Sequence, residues 1–159
     1  MSQRLNYFQA AGDLANKCME LSAALSRKPV IKELGQLIML RASQLNGCAF
    51  CVDMHVKEAR MHGERELRLH HVAVWRESTL FSARERAALG WTEALTRLTN
   101  REVSDEEWIA VREYFTEEEI AQISFQIAAI NSWNRMGVAF RTVPGSADAA
   151  YGLDKAGLN

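Results

Sequence analysis

Apolar residues recur with a helical period almost from end to end of this chain, and the alternation expected of half-buried strands is nearly absent. That pattern restricts the fold to packed helices. Leu14, Cys18, Leu21 and Leu25 form a first apolar stripe, and Leu34, Leu37, Ile38, Ala42 and Leu45 a second. Asn46-Gly47 breaks the second stripe, as that dipeptide does between elements. A third helix is expected from about Cys48 to Met61, stopped by Gly63. Leu67, His70, His71 and Val74 predict a short fourth helix.

Punctuation in the second half agrees. Ser82…Glu85, Ser104…Glu107 and Thr116…Glu119 have the spacing of capping boxes, in which hydroxyl and carboxylate each satisfy a free backbone N–H. The helices they open carry Ala87, Trp91, Ala94, Leu95 and Leu98, then Trp108, Val111 and Phe115, then Ile120, Ile123, Ile127 and Ile130. Pro144-Gly145 is expected to end the last of them. The small, polar tail 146–159 is read as mobile or as packing on a neighbouring subunit. With no repeat, linker or low-complexity stretch, the 159 residues read as one all-α domain with a real core.

Composition narrows the function classes. A formal net charge of −1 gives no basic face, so nucleic acid is not the expected partner. No apolar run approaches the roughly 20 residues needed to span a bilayer, so no membrane role is expected. The first residues lack the apolar core of a secretory signal, which makes the cytoplasm the expected location. In that reducing compartment a close cysteine pair reads as metal-binding or catalytic rather than as a permanent staple. Cys18, alone on its stripe, reads as a small core hydrophobe.

The chemistry concentrates at Cys48-Ala49-Phe50-Cys51, with His55 one turn further on. Free N–H groups and the positive dipole end at a helix start stabilise a thiolate placed there. Spacings of three and four residues put Cys48, Cys51 and His55 in one column on one face. An imidazole beside a thiol can take its proton. A second thiol one turn away can then close a disulfide on the oxidised first. Val52, Ala59 and His62 share this face, whereas Asp53, Lys57, Glu58 and Arg60 read as pointing elsewhere, so the column faces inward. Zinc is a competing reading, since Cys, Cys and His are all good ligands. A structural site needs four, however, and no second C-x-x-C or H-x₃-H is present, so no metal is expected. The plain alternative is a packed helix without chemistry.

The stretch Leu40-Arg41-Ala42-Ser43-Gln44-Leu45-Asn46-Gly47-Cys48-Ala49-Phe50-Cys51-Val52-Asp53-Met54-His55 resembles the core motif of the AhpD-like alkylhydroperoxidases, part of the carboxymuconolactone decarboxylase superfamily. The strong part of the likeness covers about 33–65. Trp75-Arg76-Glu77-Ser78, Arg84-Glu85-Arg86-Ala87-Ala88-Leu89 and Ala129-Ile130-Asn131-Ser132-Trp133-Asn134-Arg135 extend it over most of the chain. The resemblance implies an all-α, single-domain AhpD-like bundle of about six to eight helices, assembling as a homo-oligomer, trimer or hexamer. It implies peroxide reduction with no bound cofactor, through a Cys48–Cys51 disulfide reduced by a dithiol such as a lipoyl or thioredoxin-like protein. By position Cys48, Cys51 and His55 take the catalytic roles. Nearness to His55 makes Cys51 the sulfur that is oxidised and Cys48 the resolving thiol, whereas the helix-end argument favours Cys48 as the more acidic.

One departure stands out. The family's relay glutamate lies twelve residues before the first cysteine, where this chain has Gln36. An amide can orient a group but cannot relay a proton. Glu33, one turn earlier, is the candidate substitute, and a slow peroxidase or plain disulfide exchange is the expected consequence. A redox sensor without turnover is the second functional reading. A lyase like the family's decarboxylases is the third, disfavoured because that branch does not need a cysteine pair. His70 and His71 are expected in interior or interface hydrogen bonds. The four tryptophans read as core or subunit contacts, and Asn131 and Asn134 as buried amides that fix packing.

Overall fold

The computed structural model describes residues 2–98 and 102–158, and these contain helices and no strand. In chain order the helices are α1 (Tyr7–Ala10), α2 (Gly12–Leu25), α3 (Pro29–Leu45), α4 (Ala49–Met61), α5 (Glu66–His71), α6 (Ala83–Thr96), α7 (Asp105–Arg112), α8 (Glu117–Phe140) and α9 (Asp148–Tyr151). Single 3₁₀ turns follow α5 at Val72–Val74 and α9 at Leu153–Ala156. The all-α fold is as the periodicity predicts. The described residues hold nine helices, seven of them within the expected six to eight and the other two, α1 and α9, spanning four residues each and too short to show a period.

All three capping boxes form with both bonds in place, and each starts its helix at the expected residue. Such caps stabilise a helix start by about 0.5–2 kcal/mol. At the other end of α8 the chain leaves the helix at Arg141 (φ 54°), three residues before Pro144. There the N–H of Thr142 reaches the Gly137 carbonyl at 3.0 Å, so a left-handed cap and not the proline closes the helix.

Helix α3 is the central element. Val30, Ile31, Leu34 and Ile38 pack into one buried cluster with Ala88, Trp91 and Ala94 of α6, Val111, Phe115, and Ile120, Ile123 and Ile127 of α8. Leu37 and Leu40, on its other side, join a second cluster with Ala59, Leu69, Val72, Trp75, Phe81 and Leu89. A helix buried on both sides needs apolar residues around most of its circumference, which α3 has. Each fully buried aliphatic side chain here contributes on the order of 1.5–3 kcal/mol. This two-sided packing fixes the position of α3 and of the turn at its end, where the cysteines begin.

Several expectations about faces need correction. Cys18 is exposed, and Leu14 on the same stripe is 65% exposed; of that stripe only Leu25 is buried, and α2 also buries Ala15. In α5 and the turn after it, Leu69 and Val72 are inside while Leu67 and Val74 are outside. His70 is exposed beside Glu66, whereas His71 Nδ1 pairs with Ser78 Oγ at 3.0 Å, the hydrogen bond expected of it. Trp75 and Trp91 are core residues, but Trp108 is exposed. Periodicity shows that a face is apolar; it does not show that this chain covers it.

The tail 146–158 packs on its own chain. Leu153 and Ala156 are buried, and the turn that contains them lies against α4. Lys57, which the helical wheel places off the inner face, is buried as well. Its Nζ donates to Asp148 Oδ2 at 2.6 Å and Asp53 Oδ2 at 3.0 Å, and the Gly145 N–H donates to the same Asp53 oxygen at 3.0 Å. The Asp148 bond holds the Lys57 ammonium above its ordinary value, against the opposing effect of burial.

Candidate active site

The site begins with a glycine. Gly47 sits in the left-handed region (φ 66°), where a side chain is strained. That conformation lets the Cys48 N–H reach the Ser43 carbonyl at 3.0 Å, which closes α3. Cys48 then serves as the N-cap of α4, with extended backbone and its Sγ accepting from the Cys51 N–H at 3.3 Å. One residue thus ends one helix and starts the next. A sulfur in this position faces the free N–H groups and the positive dipole end of α4, which favour negative charge on it.

Cys48 and Cys51 are joined as a disulfide with a Cα–Cα distance of 5.3 Å, and each residue is 1% exposed. The expectation of an inward-facing column holds for both cysteines and for His55, which is 4% exposed. His62 does not share it, lying exposed at the end of α4. His55 Nδ1 lies 2.8 Å from Glu58 Oε2. A carboxylate only accepts, so in the neutral ring Nδ1 carries the proton and Nε2 the lone pair. Nε2 is buried without a protein partner. The arrangement presents a buried base on the helix face that also carries the two sulfurs, one and two turns earlier.

Helix α8 forms the opposite wall. A β-carbon on Gly137 would stand 2.8 Å from Cys48 Sγ and 3.4 Å from Cys51 Sγ, so the disulfide packs against bare backbone. One turn earlier, Asn134 and Asn131 both accept from Asn46 Nδ2 at 2.9 Å. Asn134 Nδ2 in turn donates to Ser43 Oγ at 3.0 Å, and Ser43 Oγ donates to the Met39 carbonyl at 2.7 Å. The two asparagines therefore fix packing, tying the turn before Cys48 to α8.

The candidate relay positions separate. Gln36 places its Oε1 inside without a hydrogen-bond partner. Glu33 is exposed and engaged with Arg84 at 3.1 Å, on a guanidinium that also holds Glu119 and the Tyr114 carbonyl. It is committed to the surface. Glu58, read from the wheel as pointing elsewhere, is the carboxylate that reaches His55. Its i+3 spacing from His55 was the available signal. Gly137 was also missed, though a glycine inside an apolar helix marks a close approach.

Comparison with known proteins agrees with this geometry. Residues 9–94 match the carboxymuconolactone decarboxylase family. The chain belongs to that family. This family member is 37% identical over 139 residues to the uncharacterized protein YdfG of Bacillus subtilis, covering 87% of this chain and 95% of that one. A crystal structure of an Agrobacterium tumefaciens protein of unknown function, described as a candidate antioxidant defence protein AhpD, superposes with a TM-score of 0.87. It shares 40% identity, over 90% of this chain and 98% of that one. The alkylhydroperoxidase AhpD core of an uncharacterized peroxidase-related protein from Ralstonia eutropha gives a TM-score of 0.77 at 25% identity, over 87% and 74% of the two chains. The fold is AhpD-like. Among the described residues no helix is long and apolar enough to cross a membrane.

Proposed function

We propose that this protein is a thiol-dependent hydroperoxide reductase that cycles through the Cys48–Cys51 disulfide. The observation that carries the reading is a joined C-x-x-C pair at a buried helix start, with an imidazole one turn on whose Nε2 is free to act as a base. In the first step His55 Nε2 takes the Cys51 thiol proton, and the thiolate attacks the terminal oxygen of the hydroperoxide. A sulfur–oxygen bond forms, the peroxide bond breaks, and the alkoxide leaves as an alcohol with the proton returned from His55. In the second step Cys48 displaces water from the Cys51 sulfenic acid, its own proton leaving with the hydroxide, and the disulfide closes. A dithiol of lipoyl or thioredoxin-like type then reduces the pair by exchange, becoming a disulfide itself.

The N-cap position of Cys48 suits it to the exchange step, because an anionic sulfur is the better leaving group. No bound cofactor or metal enters the scheme. The exposed apolar stripe of α2, Leu14 and Leu21 with Phe8 of α1, supports a homo-oligomer, trimer or hexamer, and the reducing cytoplasm suits a pair that must be reopened. A second reading is disulfide exchange or redox sensing without peroxide turnover. Gln36 at the relay position favours it.

The test is steady-state consumption of an alkyl hydroperoxide with dihydrolipoamide, comparing wild type with Cys48→Ser and Cys51→Ser. Turnover in wild type and its loss in both variants is the expected result. Loss of two free thiols per chain on peroxide addition, with no turnover on adding dithiol, would establish the sensor instead.

A further inference from the structure

We infer that Glu58 is the positioning carboxylate of this site, doing through His55 what the amide of Gln36 cannot do. The kinetic part of the inference rests on the hydroperoxide-reductase reading; the structural part does not. Three observations carry it. Glu58 Oε2 lies 2.8 Å from His55 Nδ1, the geometry of a charge-assisted hydrogen bond. The His55 side chain is 5% exposed and its Nε2 has no protein partner, so Glu58 alone among the described hydrogen bonds of the ring decides which nitrogen carries the proton. The Glu58 side chain itself is 26% exposed, so its ionised form keeps contact with water while its inner oxygen reaches the buried ring.

The consequence is the orienting logic of a catalytic triad with a thiol in place of the hydroxyl. A carboxylate at Nδ1 leaves the Nε2 lone pair available to the thiol and stabilises the imidazolium once the thiol proton has moved there. An amide at the same place can turn its NH₂ toward Nδ1. That selects the Nε2–H tautomer, which cannot accept the thiol proton. Neither Glu33, held at the surface by Arg84, nor Gln36, an amide, can supply this charge.

The experiment has two independent readouts on the intact chain. ¹⁵N NMR of His55 in reduced protein is expected to show Nδ1–H with Nε2 unprotonated in wild type and in Glu58→Asp, and a shift of population to Nε2–H in Glu58→Gln. In the hydroperoxide assay Glu58→Gln is expected to lower kcat by about tenfold or more with KM little changed, the loss typical of impaired acid–base help. Glu58→Asp retains most of the rate, and adding Gln36→Glu to Glu58→Gln restores part of it. If wild type consumes no peroxide, the hydroperoxide reading fails, yet the tautomer and the rate of Cys51 alkylation by iodoacetamide still decide on Glu58. An unchanged tautomer and unchanged alkylation rate in Glu58→Gln overturn the inference, whatever the peroxidase result.

Discussion

Replacing Gly137 with alanine places a methyl group 2.8 Å from Cys48 Sγ and 3.4 Å from Cys51 Sγ. Both neighbours belong to a short, bridged pair, which cannot swing away as the end of a long side chain can. Overpacking of this kind costs about 1–3 kcal/mol. Against it stands the gain from removing a helical glycine, about 0.5–1 kcal/mol. The net is a loss of up to about 2.5 kcal/mol, centred on about 1 kcal/mol. At about 2–4 °C per kcal/mol for a chain of this size, the melting temperature falls by several degrees. Gly90 in α6 is the internal control: its added β-carbon would meet only Trp75 Cη2, at an ordinary 3.7 Å. Gly90→Ala is therefore expected to stabilise by about 0.5–1 kcal/mol, opposite in sign. Denaturant and thermal unfolding of both variants, with the disulfide kept intact, give the comparison. If Gly137→Ala is as stable as Gly90→Ala, the close seating of the disulfide on α8 is wrong.

Two further outcomes are expected. Gln36→Glu should raise the rate of hydroperoxide reduction, by supplying a group that can carry a proton, while lowering stability because a carboxylate replaces an amide whose buried oxygen already has no partner; an unchanged rate, with Cys51→Ser inactive, would mean that the relay was not limiting. Glu93 is nearly buried, and although burial opposes its charge, bonds from Trp75, Arg76 and Arg41 hold its carboxyl below the ordinary range. Its contribution is thus full above that range and is lost as pH falls through the lowered folded-state value. Glu93→Gln should cost about 3 kcal/mol at neutral pH, by leaving the mostly buried Arg41 without its counter-charge, and should flatten the acid limb of the stability profile. Urea titrations at neutral and acidic pH check both parts.

Local chemistry determined much of this protein from sequence alone. A 3.6-residue period, three capping boxes and an Asn-Gly turn each act within a few residues, so the helices and the start of α4 are legible without the fold. The in-phase Cys48, Cys51 and His55 follow from the same geometry. The tertiary structure decided what those faces meet. Leu14, Cys18 and Leu21 form an apolar stripe that the chain does not cover, and Lys57 is buried because Asp148 returns from a distant part of the chain. Gly137 is matched to the sulfurs by the packing of α8 against the start of α4, across nearly ninety residues of sequence. Glu58 stands between the two cases: its spacing from His55 is local, but its role depends on the core having buried the rest of the ring. A helical period says which side chains are neighbours on one helix, and only packing says which of them water can no longer reach.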